Sequence, residues 1–410
     1  MNVFRSAEIL LPHDVDMKKW AVIACDQFTS DPAYWQRVAE TAQGSPSTLQ
    51  LVLPEVELGT PREQEHTAII NETMRRYLRD GVFTAYPDAY IYVERTLENG
   101  TVRKGLVGMV DLEAYDYAAG STSAIRATER TVVERIPPRQ RVRREAPIEL
   151  PHILLLCDDH EKTLIEPITA AKDTLPKLYD FDLMEGGGHI TGRLVQGDAA
   201  KSFDARLTAY SAGAAGKYTD IPGTPMIFAV GDGNHSLATA KSCYEEQKKA
   251  DPAAANGPAR YALVELENIH DDAQVFEPIH RVITGADPEK LLGALKAVCA
   301  DGGYPVRWQA GKKSGTVYLD RAKGQLAVGV LQAFLDEYLK ANGGEIDYIH
   351  DDDALLALAS QDGAIGFLLP AMEKSQLFRG VIADGALPRK TFSMGHAREK
   401  RYYLEARKIR

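Results

Sequence analysis

Residues 225–245 read PMIFAVGDGNHSLATAKSCYE, and the rest of the chain is best understood outward from them. Met226–Val230 is a short uninterrupted apolar run, the pattern of a buried strand. Gly231 and Gly233 punctuate it, and from Asn234 onward the spacing of apolar residues is helical, so the segment predicts strand, tight turn and amphipathic helix. A helix opening straight out of a turn has first-turn N–H groups with no intrahelical acceptor. Those donors, with the positive end of the helix dipole, form an anion site. Glycine at 231 and 233 lets backbone come close to a ligand and adopt positive φ. Asp232, Asn234, His235 and Ser236 put an acid, an amide, an imidazole and a hydroxyl into the same turn. A lone Asp-Gly turn is usually just a helix cap. This density of charge-handling groups behind a buried strand favours a phosphate site instead, with Gly233, Asn234, His235 and Ser236 as its anion ligands. Asp232 would hold a metal ion or orient His235.

The whole chain fits a soluble globular protein. It has 410 residues, 44% hydrophobic and 26% charged, enough for two ordinary domains with a substantial core. A formal net charge of −10 argues against broad nucleic-acid binding, which draws its affinity from Lys and Arg on phosphates. Cys25, Cys157, Cys243 and Cys299 are widely spaced with no C-x-x-C pair, as expected of reduced cytosolic thiols rather than a disulfide or zinc framework. The opening MNVFRSAEILLPHD has no charged leader, apolar run and small-residue cleavage site in sequence. No apolar stretch of ~20 residues suits a membrane span. The expectation is a cytoplasmic protein without membrane or nucleic-acid partners.

Along the chain, Ala21–Ala24 reads as a short buried strand, and Asp31 with Pro32 as the start of a helix. His66–Asp80 is helical in pattern, with Gly81 as its stop. Ala89–Thr96 and Thr101–Asp111 flank Glu98-Asn99-Gly100, a hairpin signal. Ile153–Cys157 and Tyr261–Glu267 read as strands, Glu185–Val195 as a glycine turn entering a strand, and Asp173–Asp180 as a connection. The last third predicts helices at Pro288–Cys299, Leu331–Ala341 and Asp353–Ser360, a hairpin around Thr316–Val330 and a strand at Ala364–Pro370. Gly311–Gly315, GKKSG, lacks the spacing and the following helix of a phosphate loop. Strands and helices mix without a regular βαβ rhythm, so the fold class is α+β with a mixed sheet.

The central turn also resembles a known pattern. D-G-x-H between strand and helix is similar to the phosphate-binding motif of the ParB/sulfiredoxin-like fold, to which free serine kinases belong. More closely, the chain resembles the family catalogued as domain of unknown function 1015, whose motif reads A-D-G-H-H-R-Y-x-T-A. Here the residues are Gly231-Asp232-Gly233-Asn234-His235-Ser236-Leu237-Ala238-Thr239-Ala240. GLVGMVDLEAY (Gly105–Tyr115), ATERT (Ala127–Thr131), FEPIHRVI (Phe276–Ile283) and RKTFSMGH (Arg389–His396) follow the family's order, and WAVIACDQFTSDPAYW (Trp20–Trp35) looks like a subgroup variant. The departure is Ser236, where the family has an arginine able to clamp a phosphate.

The resemblance implies a ParB/sulfiredoxin-like core around the DGNHS turn. It would span residues 1–285, with an α/β extension over 286–410 that returns RKTF to the core. It also implies a small-molecule phosphotransferase acting on the hydroxyl of free L-serine or a similar acceptor, from a nucleotide or pyrophosphate donor, with Mg²⁺ to offset donor charge. A phosphohydrolase and a non-catalytic nucleotide- or phosphate-binding sensor are the alternatives. Asp232 and His235 are the catalytic candidates, with Asp26 as a base by analogy to the serine kinases. Arg130, Arg281 and Lys390 are candidate cations making up for Ser236, while Glu129 and His280, from the same landmark segments, and His189, behind a glycine turn, are candidate substrate ligands.

Overall fold

A computed structural model of the chain describes residues 2–410 except 29–30, 58–59, 119, 130–135, 151–152, 222 and 389, and without the side chains of Asp26 and Glu55. It divides into two compact units, Met1–Gln274 with Gly395–Arg410, and Val275–Met394. The break therefore falls ahead of FEPIHRVI rather than after 285, and the last sixteen residues belong to the first unit. Strand pairing explains the position. Phe276–Pro278 pairs with Phe392–Met394, and His280–Thr284 pairs with Glu345–Ile349 and Ala364–Leu368, so the chain is committed to the second unit from Val275.

The first unit is α+β around a mixed sheet. Its strands lie in the order Tyr115–Asp116, Ile125–Ala127, Phe228–Asp232, Leu154–Cys157, Tyr261–Asn268, Val102–Asp111, Phe83–Thr96, His189–Val195 and Lys177–Asp182. Phe228–Asp232 runs parallel to Ile125–Ala127 and antiparallel to Leu154–Cys157. Side-chain alternation along the strands builds two cores, because successive residues face opposite sides. Ile91 and Val93 pack with Trp20, Tyr34 and Met74 on one face; Tyr90 and Tyr92 pack with Phe203, Leu237 and Tyr244 on the other. The helix expected around 66–80 is Glu63–Arg79, and Asp31 caps Pro32–Ala42 by accepting the Tyr34 N–H at 2.9 Å.

Two sequence expectations fail in this unit. Ala21–Ala24 is buried but makes only an isolated bridge, Val22 to Tyr403. The Val22 N–H is taken by the Thr48 hydroxyl at 3.1 Å instead of by a neighbouring strand. Lys177–Asp182, expected as part of a connection, is an edge strand in which Tyr179 and Phe181 point inward between exposed neighbours. That period-two alternation was available in the sequence.

The second unit carries a five-stranded sheet, ordered Lys313–Leu319, Cys299–Ala310, Ala364–Leu368, His280–Thr284 and Glu345–Ile349, antiparallel at every pairing. It is thus an α+β unit rather than a parallel α/β extension, since its neighbouring strands are not joined by the helical crossovers that parallel strands need. The hairpin sits earlier than expected. Gly311, at φ +57°, turns Cys299–Ala310 into Lys313–Leu319, so GKKSG holds a hairpin turn and the start of the strand after it, and Ala327–Asn342 is helix. Among the described residues, no helix is long and apolar enough to cross a membrane.

Candidate functional site

The motif forms the predicted unit: strand Phe228–Asp232, Gly233 in the left-handed region at φ 79° and ψ 24°, then helix Asn234–Ala250. A side chain at 233 would be strained in that conformation, which explains the glycine. No side chain caps this helix, whose first intrahelical bond runs from the Leu237 N–H to the Gly233 carbonyl at 3.0 Å. The amides before it have no intrahelical acceptor. Asp232 accepts the Gly233 N–H at 2.9 Å through one carboxylate oxygen, and its other oxygen lies 3.5 Å from Lys400 Nζ. The half-buried His235 is fixed at its backbone, where the carbonyl accepts the Thr239 hydroxyl at 2.7 Å.

The sheet delivers a second landmark to the same place. Ile125–Ala127 is the parallel neighbour of the motif strand, and it leads into the buried Thr128, whose hydroxyl donates to the Val230 carbonyl at 2.7 Å. Asn234 Nδ2 lies 3.5 Å from that Thr128 oxygen, while Asn234 Oδ1 is buried with no hydrogen-bond partner among the described residues. A buried acceptor in this state is costly unless a ligand or water supplies a proton. Glu129 is the next residue along, half-buried; Arg130 lies outside the described residues.

Lys400 was not anticipated. It comes from the C-terminal strip, held by two buried arginines of the central hairpin. Arg95 donates to the carbonyls of Glu399 at 3.0 Å, Lys400 at 2.5 Å and Gly187 at 2.9 Å, and Arg103 to that of Glu399 at 2.9 Å. Burial, reinforced by Arg103 alongside, draws the Arg95 pKa down to about 9. Just past Lys400, Arg401 bridges the buried carboxylates of Glu265 at 2.8 Å and Glu405 at 2.6 Å. Gly187 permits the close fit, since a Cβ there would lie 2.2 Å from the Tyr402 hydroxyl oxygen. The Val22–Tyr403 bridge is antiparallel, so the chain leading to Asp26 runs toward the Lys400 end of this strip. The Asp26 backbone begins a short 3₁₀ turn, Asp26–Phe28.

Of the remaining candidates, one lies in the first unit and three in the second. His189 is five strands from the motif strand in the sheet order, about 24 Å of sheet at the usual spacing of about 4.8 Å. There its ring sits between Asp182 at 2.7 Å and Asp180 at 2.6 Å, which raise its pKa. His280, Arg281 and Lys390 belong to the second unit. His280 is buried. Its Nδ1 accepts the Leu369 N–H at 3.1 Å and its Nε2 faces Asp352 at 2.6 Å, bonds that hold a strand end to a helix start. Arg281 is wholly buried, donating to Gln332 at 2.9 Å and to the carbonyls of Ile279 at 2.5 Å and Lys390 at 2.9 Å.

A cavity of about 150 Å³ adjoins the motif helix in the first unit. Ser236 and Thr239 line one side, Val142 and Ala146 another, with Arg139, Arg143 and Glu149 among the polar groups. Burial opposes the Glu149 charge, but Arg143 at 2.6 Å and Arg407 at 2.8 Å hold its carboxyl below the usual range. Among the described residues, no group of three or more His, Cys, Asp or Glu side chains could hold a metal ion.

The model of the family described as "Protein of unknown function (DUF1015)" matches residues 10–408. The chain belongs to that family. No curated protein matches it. Among solved structures, it is similar to a free serine kinase in complex with AMP, at 11% identity and TM-score 0.38, over 73% of this chain and 91% of the other. It is also similar to a conserved hypothetical protein from Pyrococcus furiosus, at 13% identity and TM-score 0.34, over 72% of this chain and 90% of the other. A third is SbnI with C-terminal truncation from Staphylococcus aureus, at 11% identity and TM-score 0.35, over 70% and 83%.

Proposed function

We propose that this family member is a small-molecule phosphotransferase with a ParB/sulfiredoxin-like core, transferring a phosphoryl group to the hydroxyl of L-serine or a similar small acceptor. The supporting observation is the Asp232–Lys400 pair at the mouth of an uncapped helix N-terminus. The helix amides and Lys400 suit phosphate oxygens, and Lys400 supplies the charge that Ser236 cannot. In the step itself, the acceptor oxygen attacks the terminal phosphorus of a nucleoside polyphosphate or pyrophosphate. The bridging P–O bond breaks, its electron pair leaves with the departing phosphate, and the hydroxyl proton passes to Asp232 or His235. Asn234 Oδ1, buried and without a partner among the described residues, would accept a hydrogen bond from the bound acceptor.

Mg²⁺ fits this arrangement in one way. With no carboxylate cluster among the described residues, Asp232 would be the protein's ligand and the donor phosphates would complete the shell, as is usual for this ion. It would contribute neutralisation of donor charge.

The test is a transfer screen with Mg²⁺ present, L-serine and other hydroxylated acceptors against ATP, ADP and pyrophosphate, read by mass spectrometry. A phosphorylated acceptor is expected. A full screen without product, in a protein that still binds phosphate, favours the sensor. Lys400→Met should raise the donor KM or lower kcat by about tenfold or more, the scale of one charge-assisted contact. Unchanged kinetics in that variant remove Lys400 from the site. Duplex DNA should not bind appreciably at physiological salt, given the net charge of −10; a salt-sensitive sub-micromolar titration would contradict this.

A further inference from the structure

We propose that the cavity beside the motif helix binds the body of the acceptor, and that the acceptor is a small hydroxy acid with an aromatic or branched apolar group. This rests on the phosphotransfer reading and names its acceptor class. An aliphatic-lined cavity of about 150 Å³ has room for a benzene-sized group. L-Serine has no such group to place there.

The position of the cavity relative to the motif carries the inference. Ser236 and Thr239 are three residues apart on the motif helix, so they share a face, and both line the cavity. The same helix's first turn carries the phosphate-type amides, so a ligand in the cavity lies alongside the turn where transfer is proposed. Opposite stands helix Ile136–Glu145, tied along the motif helix by Gln140 to Ser242 at 2.8 Å and Arg144 to Glu246 at 2.9 Å. That helix and the residue after it contribute Val142 and Ala146 as apolar wall, and Arg139 and Arg143 as cationic rim. Arg139 and Arg143 bring guanidinium groups to this lining, Arg143 paired with Glu149 at 2.6 Å, so an acid group would meet cationic side chains here. Position 236 then acquires a meaning beyond lost charge. An arginine there would extend into the cavity from the helix wall, whereas serine leaves the space open.

The experiment is calorimetric titration of the full chain, without donor, with 3-phenyllactate and with lactate, which shares the hydroxyl and carboxylate but lacks the ring. 3-Phenyllactate should bind at least tenfold more tightly. Ala146→Phe grows a ring from the wall and should abolish that preference. Val142→Phe, at a half-buried position, is the second filling variant should the first fail to fold, and Ser236→Arg should act in the same direction. Equal affinities for the two acids, no measurable 3-phenyllactate binding at millimolar concentration, or a preference that survives in a folded filling variant overturns the proposal. Since no donor is present, the two readings fail separately. Ring preference without phosphate transfer to any acceptor leaves the cavity assignment standing and removes the transferase. Transfer to L-serine by a chain indifferent to the ring removes the cavity assignment alone.

Discussion

Asp232→Asn is expected to lower kcat by about a hundredfold or more while leaving the fold intact, the scale of a lost electrostatic contribution of ~3 kcal/mol in the transition state. Asparagine keeps the shape and can still accept the Gly233 N–H, the 2.9 Å bond that sets the turn. It loses the charge that faces Lys400 and would bind the metal ion or take the acceptor's proton. Stability should change little, because the carboxylate is 30% exposed and such partly solvated pairs contribute at most about 1 kcal/mol. Steady-state kinetics beside a thermal melt checks both halves. A well-folded Asp232→Asn protein with full turnover would reduce Asp232 to a turn-forming residue.

Arg401→Met should produce the largest stability loss, about 3–5 kcal/mol, because removing one member of a buried ion network strands the others. Glu265 and Glu405 lie on either side of Arg401, and Tyr179 donates its hydroxyl to Glu405 at 2.6 Å. Burial works against the Arg401 charge, yet the two carboxylates outweigh it and hold its pKa above the ordinary arginine value. Methionine fills much of the volume without the charge, leaving two carboxylates buried together. Urea denaturation should show the deficit at neutral pH, and acid should narrow it as the stranded carboxylates take up protons. A variant as stable as the parent at pH 7 would mean that the network adds nothing net. Since Arg401 adjoins Lys400, donor binding should weaken as well.

The motif turn was legible because its information is local. An apolar run, glycine at a left-handed position and polar residues at a helix start each constrain the few residues around them. The helices at 63–79 and 327–342 were legible from periodicity for the same reason, within a few residues at their ends. Ala21–Ala24 shows the limit. Its apolar run correctly predicted burial, but burial does not say which group takes a backbone N–H, and the Thr48 side chain takes it at Val22. The Glu149 carboxylate is a similar case, bound by Arg143 near in sequence and Arg407 far away.

By itself, the sequence determined the α+β class, the strand-turn-helix of the DGNHS segment and membership of a family whose motifs run in order along the chain. Only the tertiary structure decided which charges share a site. Within the second unit, Arg281 donates to the carbonyls of Ile279 and Lys390 and His280 faces Asp352, partners of the kind buried polar groups need and that no motif names. Lys400 lies in the run HAREKR (His396–Arg401), which reads as ordinary charged surface. It reaches Asp232 because Arg95 and Arg103 capture the backbone of its strip nearly three hundred residues along the chain, and contacts at that separation leave no periodicity for a sequence to show.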